Sequence, residues 1–310
     1  MTRVLVLGGG PDAEREVSLN SSRCVAEALR KTGEWDVAYE IIDRPTAEQL
    51  RQLPGDVVFP VLHGGFGEGG PLQDLLRTGG RPFVGSRSSA ARLAMDKIAS
   101  KLTAAACGVR TAPGGVFDAR DGVCPVGLPA VLKPVHDGSS VGVHLCRNAS
   151  QWDQACREAI DDMRSGKGRV YMYERLIAGS ELTVGVLDPG SSDERVLDPI
   201  RIRSAAEFYD YEAKYTRNDT SYDVDPPLPE GVKSCVQDAA RKVCLALDVR
   251  HLARVDFLLD ERGGAWLLEI NTMPGFTDHS LVPMAARAAG IEMPRLCSLL
   301  VRWAIRDGLK

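Results

Sequence analysis

The sequence predicts an α/β protein that begins with a doubly wound parallel sheet and becomes α+β in its later parts. Two patterns carry this prediction. At the start, the buried strand 3–8 runs into Gly8-Gly-Gly10 and then into a helix, an order typical of doubly wound sheets. Towards the end, residues 253–276 form two apolar runs joined by the turn signal Asp260-Glu-Arg-Gly-Gly264, which predicts a β-hairpin.

Composition narrows the class of protein. A chain of 310 residues that is 44% hydrophobic can bury a large core, and its length predicts more than one domain. The net charge of −4 and the lack of a basic run argue against a nucleic-acid partner. No apolar run approaches the length of a membrane span. The eight cysteines are scattered without a Cys-x-x-Cys pair, which predicts free thiols in a reducing, cytoplasmic compartment.

The first units of the chain alternate between strand and helix. The first helix is expected to start at Ser18 as N-cap and to run to about Lys31, with Gly33 ending it. The units that follow are strand 37–42, helix 46–53, strand 57–62, a helix around 72–76 and a short strand at 82–85. We place the end of this first domain near residue 96.

Two polar loops of this domain are candidate ligand sites. Asp12, Glu14 and Glu16 lie just before the first helix, where the helix dipole favours carboxylates, or where one of them could hold a substrate ammonium group. His63 follows the third strand, and ligands bind at the carboxyl ends of such strands. The later glycines of the Gly-x-Gly-x-x-Gly fingerprint are missing after Gly8, which disfavours a dinucleotide-dependent oxidoreductase.

The middle of the chain offers two candidate phosphate-binding lysines. A helix is predicted over 90–107, and Lys97 within it is either a solvated residue or a ligand-binding one. Lys133 ends the apolar strand 129–134, where an unpaired charge would be costly. The loop Gly138-Ser-Ser-Val-Gly142 that follows is either an ordinary hairpin turn or a phosphate cradle made of backbone N–H groups and hydroxyls.

A hinge and a lid are predicted farther along. Glu174 and Glu181 flank a connection at Gly179 that could be a hinge between domains. The irregular segment 205–229 is rich in tyrosine, which argues for a functional lid and makes Lys214 and Tyr215 candidates. The remaining elements are helix 148–163, strands 170–177, 181–187 and 198–204, helix 231–247, and closing helices at 284–289 and 293–305.

The hairpin near the end of the chain carries the predicted metal site. Alternation puts Glu269 and Asn271 on one face of its second strand, and pairing could bring Asp256 alongside. Such charges are often only the solvated face of a hairpin. The apolar Leu267 and Leu268 argue for burial instead, and two carboxylates with an amide oxygen suit Mg²⁺.

The chain resembles the D-alanine–D-alanine ligases of the ATP-grasp superfamily. Nine short motifs occur in order across nearly all of its length. They are Ala13-Glu-Arg-Glu-Val-Ser-Leu19, Leu62-His-Gly64 with Gly67-Glu68, Met95-Asp-Lys97, Lys133-Pro134 with Gly138-Ser-Ser-Val-Gly142, Tyr209-Asp-Tyr-Glu-Ala-Lys-Tyr215, Arg254-Val-Asp256, Glu269-Ile-Asn-Thr272, Pro274-Gly275 and His279-Ser-Leu-Val-Pro283.

The resemblance implies an ATP-grasp fold of three domains: 1–96 for the amino-acid substrate, 97–180 as the central lid domain, and 181–310 as the metal-binding catalytic domain. ATP would lie between the last two. The implied nucleotide and metal ligands are Lys97 and Lys133 on the α- and β-phosphates, Lys214 on the γ-phosphate, Glu174 and Ile177 on adenine, Glu181 on ribose, and Asp256, Glu269 and Asn271 on two Mg²⁺ ions, with Mn²⁺ as a possible substitute.

The resemblance also implies a reaction in two steps. The carboxylate of one D-alanine attacks the γ-phosphate of ATP, and the amine of a second D-alanine then attacks the resulting acyl phosphate. The implied roles are Glu14 and His63 at the first D-alanine, Ser139 linking Glu14 to Tyr215, Arg254 and the N–H of Gly275 at the oxyanion, and Ser280 and Leu281 at the second carboxylate. Tyr215 implies an amine acceptor, because depsipeptide-forming relatives tend to carry phenylalanine there.

Two alternative functions remain open, and three residues depart from the family pattern. The chain could ligate another D-amino or D-hydroxy acid, or could be an inactive nucleotide-binding regulator on the same fold, although a regulator has no need of oxyanion donors. Gly69, Pro71 and Asp74 depart from the family pattern next to the first subsite. The resemblance further implies a homodimer, with D-alanine and ATP as ligands and neither nucleic acid nor membrane as a partner.

Overall fold

The structure, a computed structural model, describes residues 1–120, 122–138, 141–166, 168–203 and 220–308. These residues form one parallel sheet and two antiparallel sheets. The predicted α/β class, with α+β parts, is therefore confirmed. None of the helices within the described ranges is long and apolar enough to cross a membrane.

The first sheet is parallel and has the order β2-β1-β3. Its elements and their helices are β1 (Arg3–Gly9), α1 (Arg15–Thr32), β2 (Asp36–Ile42), α2 (Ala47–Gln52), β3 (Val57–Pro60), α3 (Gly64–Gly67), α4 (Pro71–Thr78) and α5 (Ser88–Met95). Residues 4–7 of β1 are fully buried, as expected for a central parallel strand covered on both faces. The carboxyl ends of β1 and β3 bring the Gly8-Gly-Gly10 turn and His63 to one edge.

The first helix begins earlier than the sequence predicts. Its N-cap is Glu14, and the expected cap, Ser18, lies inside the helix and is buried. Ser18 instead joins two strand ends, because its hydroxyl accepts from the N–H of Gly9 at 2.9 Å and donates to the carbonyl of Val61. The end of the helix is as predicted, with Gly33 in the left-handed conformation at φ 67°.

The second sheet is antiparallel, with the order β4-β7-β5-β6. Its elements and helices are α6 (Lys97–Ala106), β4 (Gly114–Val116), β5 (Ala130–Pro134), β6 (His144–Cys146), α7 (Ala149–Arg164) and β7 (Tyr171–Arg175). Trp152, Ala155 and Ala159 of α7 pack on Leu132 and Tyr171 of the sheet. Lys133 and Glu174, one from each central strand, are thus carried by a rigid element.

The third sheet has the order β11-β10-β8-β12-β13, with β9 also paired to β8. Its elements and helices are β8 (Ser180–Leu187), β9 (Arg195–Val196), β10 (Ile200–Arg203), β11 (Ser221–Val224), α8 (Val232–Ala246), β12 (Leu252–Leu259), β13 (Ala265–Asn271), α9 (Leu281–Ala288) and α10 (Met293–Gly308). Val25 and Leu29 of α1 share one core with Leu296 and Leu300 of α10.

Three local expectations are wrong. The helix predicted over 90–107 breaks at Asp96, whose carboxylate caps α6 by accepting from Ile98 and Ala99. The strand expected at 82–85 is reduced to one bridge between Phe83 and Val58. The segment predicted as irregular over 205–229 contains β11, which extends the sheet by pairing with β10. The domain boundaries at residues 96 and 180 remain predictions.

Candidate active site

The hairpin β12–β13 brings the three predicted metal ligands together. Asp256 lies directly opposite Glu269, and Asn271 follows two residues later, opposite Arg254. The register shifts immediately after Asp256, which marks a bulge at this position. Two carboxylates and one amide therefore gather at one end of the hairpin.

Asp256 is buried and has two partners in the protein. Its carboxylate accepts from the hydroxyl of Thr183 at 2.6 Å and from the guanidinium of Arg254 at 2.8–3.2 Å. These bonds offset the cost of burying the charge. They also place Arg254, the predicted oxyanion donor, beside the metal ligands.

This donor set fits a divalent cation through its hard oxygens. In the described part of the chain, no group of three or more His, Cys, Asp or Glu side chains is placed to hold a metal. A cation here would therefore depend on the amide oxygen of Asn271 and on substrate phosphates, an arrangement common for Mg²⁺. That amide oxygen is already held in place by the N–H of Met273 at 2.9 Å.

A buried cluster of two lysines and one glutamate lies on the second sheet. Lys133 Nζ is 2.8 Å from one carboxylate oxygen of Glu174, and Lys101 Nζ is 3.3 Å from the other. Lys101 also donates to the carbonyl of Leu267 on β13 at 2.9 Å. One glutamate thus ties α6, the second sheet and the catalytic hairpin together.

The pKa values show how strongly this cluster is coupled. Burial alone would raise the pKa of Glu174, but Lys133 and Lys101 hold it below its ordinary value. Burial lowers the pKa of Lys101 to about 8, and the Glu174 charge opposes that shift. Two lysines around one glutamate give the cluster an excess of basic groups, which suits a polyphosphate.

Lys97, in the first turn of α6, lies close to one of the predicted metal ligands. Its Nζ donates to the carbonyl of Asp137 at 2.7 Å and lies 3.6 Å from the carboxylate of Glu269. The side chain is buried, so it is not the solvated lysine that the sequence left open. It bridges the loop before Gly138 to the predicted metal set.

The predicted adenine and ribose residues lie on β7, on β8 and in the link between these two strands. Ile177 lies in the link between β7 and β8, and Glu181 is the second residue of β8. Glu181 is paired across strands with Leu258 of β12 and Ile202 of β10. Both residues are half-buried. The chain thus runs directly from Glu174 through Ile177 to Glu181.

The predicted amino-acid subsite forms at the carboxyl edge of the first sheet. A Cβ built on Gly138 would lie 3.6 Å from the Glu14 carboxylate, so Glu14 faces the glycine loop of the second sheet. His63 is buried, and its Nδ1 lies 3.0 Å from the carbonyl oxygen of Met273. This contact puts the proton on Nδ1 and leaves the buried Nε2 without a hydrogen-bond partner, free to accept one from a ligand.

Burial sets the charges of this subsite. It lowers the pKa of His63 to about 4, so the imidazole is neutral at physiological pH. Burial, and then repulsion from Glu14, raise the pKa of the neighbouring Glu68 to about 8. Glu68 accepts from the N–H of Gly64 at 3.1 Å. Glu68 therefore keeps its proton at neutral pH.

A third group of predicted residues lies after the hairpin. A Cβ on Gly275 would be 2.7 Å from the Ser280 hydroxyl, so glycine is required for this close approach. Ser280 accepts from the N–H of Thr277 at 2.9 Å, and Leu281 is the first residue of α9. The hydroxyl and the first N–H groups of α9 together favour a carboxylate ligand.

The three departures from the family pattern also have structural roles. A Cβ on Gly69 would lie 2.4 Å from the carbonyl oxygen of Gly65, so the loop closes on itself more tightly than a larger residue allows. Pro71 begins α4, where its fixed φ is favourable. Asp74 forms an ion pair with Arg92 at 2.6 Å.

Three predicted residues, Ser139, Lys214 and Tyr215, lie outside the described residues. Conversely, Lys101, Glu68 and Thr183 belong to the observed clusters, although the sequence did not single them out. Lys101 is one helical turn after Lys97 and on the same face, a spacing that could have revealed it. Thr183 had no such signal, because only the pairing of β8 with β12 brings it to Asp256.

One parallel sheet and two antiparallel sheets, with Lys97 of α6 close to Glu269 of the third sheet, are the architecture of an ATP-grasp ligase. A family model described as "D-ala D-ala ligase C-terminus" matches residues 119–302. The chain is 41% identical over 308 residues to a D-alanine–D-alanine ligase from Desulforudis audaxviator, covering 97% of this chain and 98% of the relative. The chain therefore belongs to the D-alanine–D-alanine ligase family.

Solved structures give the same fold. A D-alanine–D-alanine ligase from Bacillus anthracis matches with a TM-score of 0.82 at 27% identity, over 100% of this chain and 99% of the other. A D-Ala:D-Ser ligase from Enterococcus faecalis matches with a TM-score of 0.82 at 25% identity, over 98% and 99%.

Proposed function

We propose that the protein joins two D-alanines into D-alanyl-D-alanine with ATP as the energy source, for peptidoglycan precursor synthesis in the cytoplasm. The proposal rests on the proximity of three groups of residues: the predicted metal ligands, the buried lysines and the predicted amino-acid subsite. Lys97 bridges Asp137 to Glu269, Glu14 lies close to Gly138, the residue after Asp137, and His63 is bonded to Met273 just after the hairpin. Phosphate-binding and amino-acid-binding groups are thereby adjacent.

In the first step, the carboxylate of one D-alanine attacks the γ-phosphate, and ADP leaves. Glu14 holds the ammonium group of this D-alanine, and His63 accepts from it through Nε2. Lys97 and Lys133 neutralise the phosphates, with Lys214 reaching the γ-phosphate from the lid. Asp256, Glu269 and Asn271 would hold two Mg²⁺ ions, for which Mn²⁺ would be a possible substitute, and bound metal would supply charge neutralisation at the phosphates.

In the second step, the amine of the other D-alanine attacks the acyl phosphate, and inorganic phosphate leaves. Arg254 and the N–H of Gly275 stabilise the oxyanion, a contribution worth about 10²–10³-fold for each donor. Ser280 and the N–H of Leu281 hold the carboxylate of this second substrate. The resemblance also assigns Ser139 and Tyr215, which lie outside the described residues, the role of supporting Glu14.

The acceptor is the part of the proposal that needs its own test. A D-Ala:D-Ser ligase shares this fold, so D-serine and D-lactate are the competing acceptors. Tyr215 favours an amine, and a competition between D-alanine and D-lactate near neutral pH measures the preference. Preferential formation of the depsipeptide would contradict an amine acceptor.

The activity itself is tested by ADP release from the purified protein with ATP and Mg²⁺. We expect release with D-alanine, together with a dipeptide product, and none with L-alanine or without an amino acid. ATP binding without turnover on any D-amino or D-hydroxy acid would instead favour a regulator. We further propose a homodimer, which light scattering of the same preparation measures.

A further inference from the structure

A cavity of about 240 Å³ lies away from the residues discussed so far, between the first sheet's helices and the third sheet. Its lining includes four arginines, Arg77, Arg81, Arg87 and Arg250, and we call it the arginine cavity. Among the described residues of its lining, Asp307 supplies the one carboxylate, so positive charge is in excess there. An excess of guanidinium groups around a cavity is a recognition pattern for oxyanions.

Arg81 fixes one wall of the arginine cavity. Its guanidinium donates to the main-chain carbonyls of Leu53 at 2.8 Å, Gly55 at 3.1 Å and Leu50 at 2.5 Å. These acceptors carry no formal charge, so they hold the side chain without neutralising it. Arg81 therefore contributes a rigid positive charge.

Arg250 lines the cavity, and one nitrogen of its side chain lacks a hydrogen-bond partner among the described residues. Its side chain is only 14% exposed, and its buried Nε has no hydrogen-bond partner. The nearest carboxylate, Asp307, is 4.0 Å away and is already bound by His251 and Arg306. The Arg250 charge is therefore only partly compensated within the protein, which favours an anion beside its guanidinium.

Arg87 adds a second charge near Arg250. Burial, and then the charge of Arg87, lower the pKa of Arg250, so the two guanidinium groups repel each other. Asp74, the acidic residue on the adjacent helix α4, is paired with Arg92 instead. Arg87 is also the N-cap of α5 and makes no side-chain capping bond. A dianion between Arg87 and Arg250 would convert this repulsion into attraction.

We propose that the arginine cavity binds a phosphate dianion, free or esterified, between Arg87 and Arg250. The phosphate group matches the planar fork of arginine and is small enough for the cavity. This proposal goes beyond the ligase activity and does not depend on it.

The location of the arginine cavity links it to the catalytic hairpin. The next residue after Arg250, His251, accepts from the N–H of Gly85 at 2.9 Å, and the N–H of Arg250 donates to Ser86 at 3.2 Å. Strand β12 begins at Leu252 and carries Arg254 and Asp256. An anion on Arg250 therefore stabilises the junction from which the catalytic strand starts.

The test is calorimetric titration of the full chain with inorganic phosphate, at constant ionic strength set by sodium chloride. A non-hydrolysable ATP analogue with Mg²⁺ is present in excess to fill the nucleotide site. We expect Arg87→Ala to weaken phosphate binding about tenfold, because one charge-assisted contact is lost. The matched control is Arg157→Ala, which removes an exposed arginine of α7 and should bind like the wild type.

A second variant, Arg250→Lys, keeps the charge but removes the guanidinium fork and should also weaken binding. A parallel titration with glycerol 3-phosphate identifies, by its relative affinity, whether the free or the esterified phosphate is preferred. Equal binding by the wild type and Arg87→Ala, with unchanged melting temperatures, would overturn the proposal. So would a wild type that binds neither phosphate species.

Discussion

The guanidinium of Arg254 contacts both carboxylate oxygens of Asp256, two residues further along the same strand, at 2.8–3.2 Å. The proposed oxyanion donor thus also neutralises a proposed metal ligand. Removing either residue alone leaves a charge without its partner in a largely buried site. Effects on catalysis and on stability can be separated by combining the two substitutions.

We predict that Arg254→Met lowers turnover by about 10²–10³-fold and destabilises the protein by about 3 kcal/mol. The stability loss arises because Asp256 loses its charged partner and, among the described residues, keeps the hydroxyl of Thr183. Adding Asp256→Asn should restore most of the stability but none of the activity, as measured by urea unfolding and ADP release. Arg262→Met, in the exposed turn of the hairpin, is the control. Restored activity in the double variant would contradict the proposed roles.

Lys101→Met should raise the KM for ATP about tenfold while changing kcat less. Glu174 would lose one of its two lysine partners and would no longer be held in place beside Lys133. Steady-state kinetics measure the split, and Lys101→Arg should recover part of the affinity by keeping a positive charge. The exposed Lys242→Met on α8 is the matched control. An unchanged KM would show that Lys101 serves stability alone.

The raised pKa of Glu68 predicts that the stability of the protein depends on pH. Its pKa in the folded protein is about 8, against an ordinary 4.5, so the folded state keeps a proton that the unfolded state has lost. The free energy of unfolding should therefore fall as pH rises from 4.5 to about 8, by up to about 1.4 kcal/mol per unit.

Glu68→Gln removes this titration and should flatten the profile between pH 6 and 8 in urea-unfolding measurements. The exposed Glu16→Gln on α1 should keep the wild-type slope. If Glu68→Gln and the wild type lose stability in parallel over this range, Glu68 is not the group responsible.

Replacing His251 by asparagine should destabilise the protein less than replacing it by phenylalanine. Its Nδ1 accepts from the N–H of Gly85, and its backbone has a φ of 65°, which asparagine adopts readily. His251→Phe loses the acceptor and leaves a buried N–H without a partner, a cost of about 1–3 kcal/mol. His251→Asn presents a carbonyl oxygen in its place and should cost less in urea unfolding. Equal losses would mean that packing, not this bond, sets the requirement.

The sequence predicted the hairpin well because its signals are local. Alternation along β13 and the turn at residues 260–264 predict that pairing could bring Asp256 alongside Glu269, and the structure has the two directly opposite each other, next to a bulge that the pattern does not indicate. The end of α1 at Gly33 was equally readable from one glycine. The start of α1 was not, because Ser18 has the chemistry of a cap but is used to join β1 to β3.

The tertiary partners of the site could not be predicted in the same way. Thr183 reaches Asp256 only through strand pairing between β8 and β12, and His63 reaches Met273 across 210 residues of chain. The pKa values of Lys101 and Glu174 depend on the burial of the two side chains, which the periodicity of the sequence does not report. The strand β11 was missed because it lacks a strong pattern and depends on β10 for its pairing.

The central claim is that ligation proceeds through an acyl phosphate at the site formed by Lys97, Lys133 and the catalytic hairpin. The most direct measurement uses D-alanine labelled with ¹⁸O in its carboxylate and follows the label in the inorganic phosphate released. If the carboxylate attacks the γ-phosphate, one carboxylate oxygen must leave with each phosphate formed. We predict one labelled oxygen per phosphate, matched to the dipeptide produced, whereas dipeptide formation with unlabelled phosphate would contradict the account.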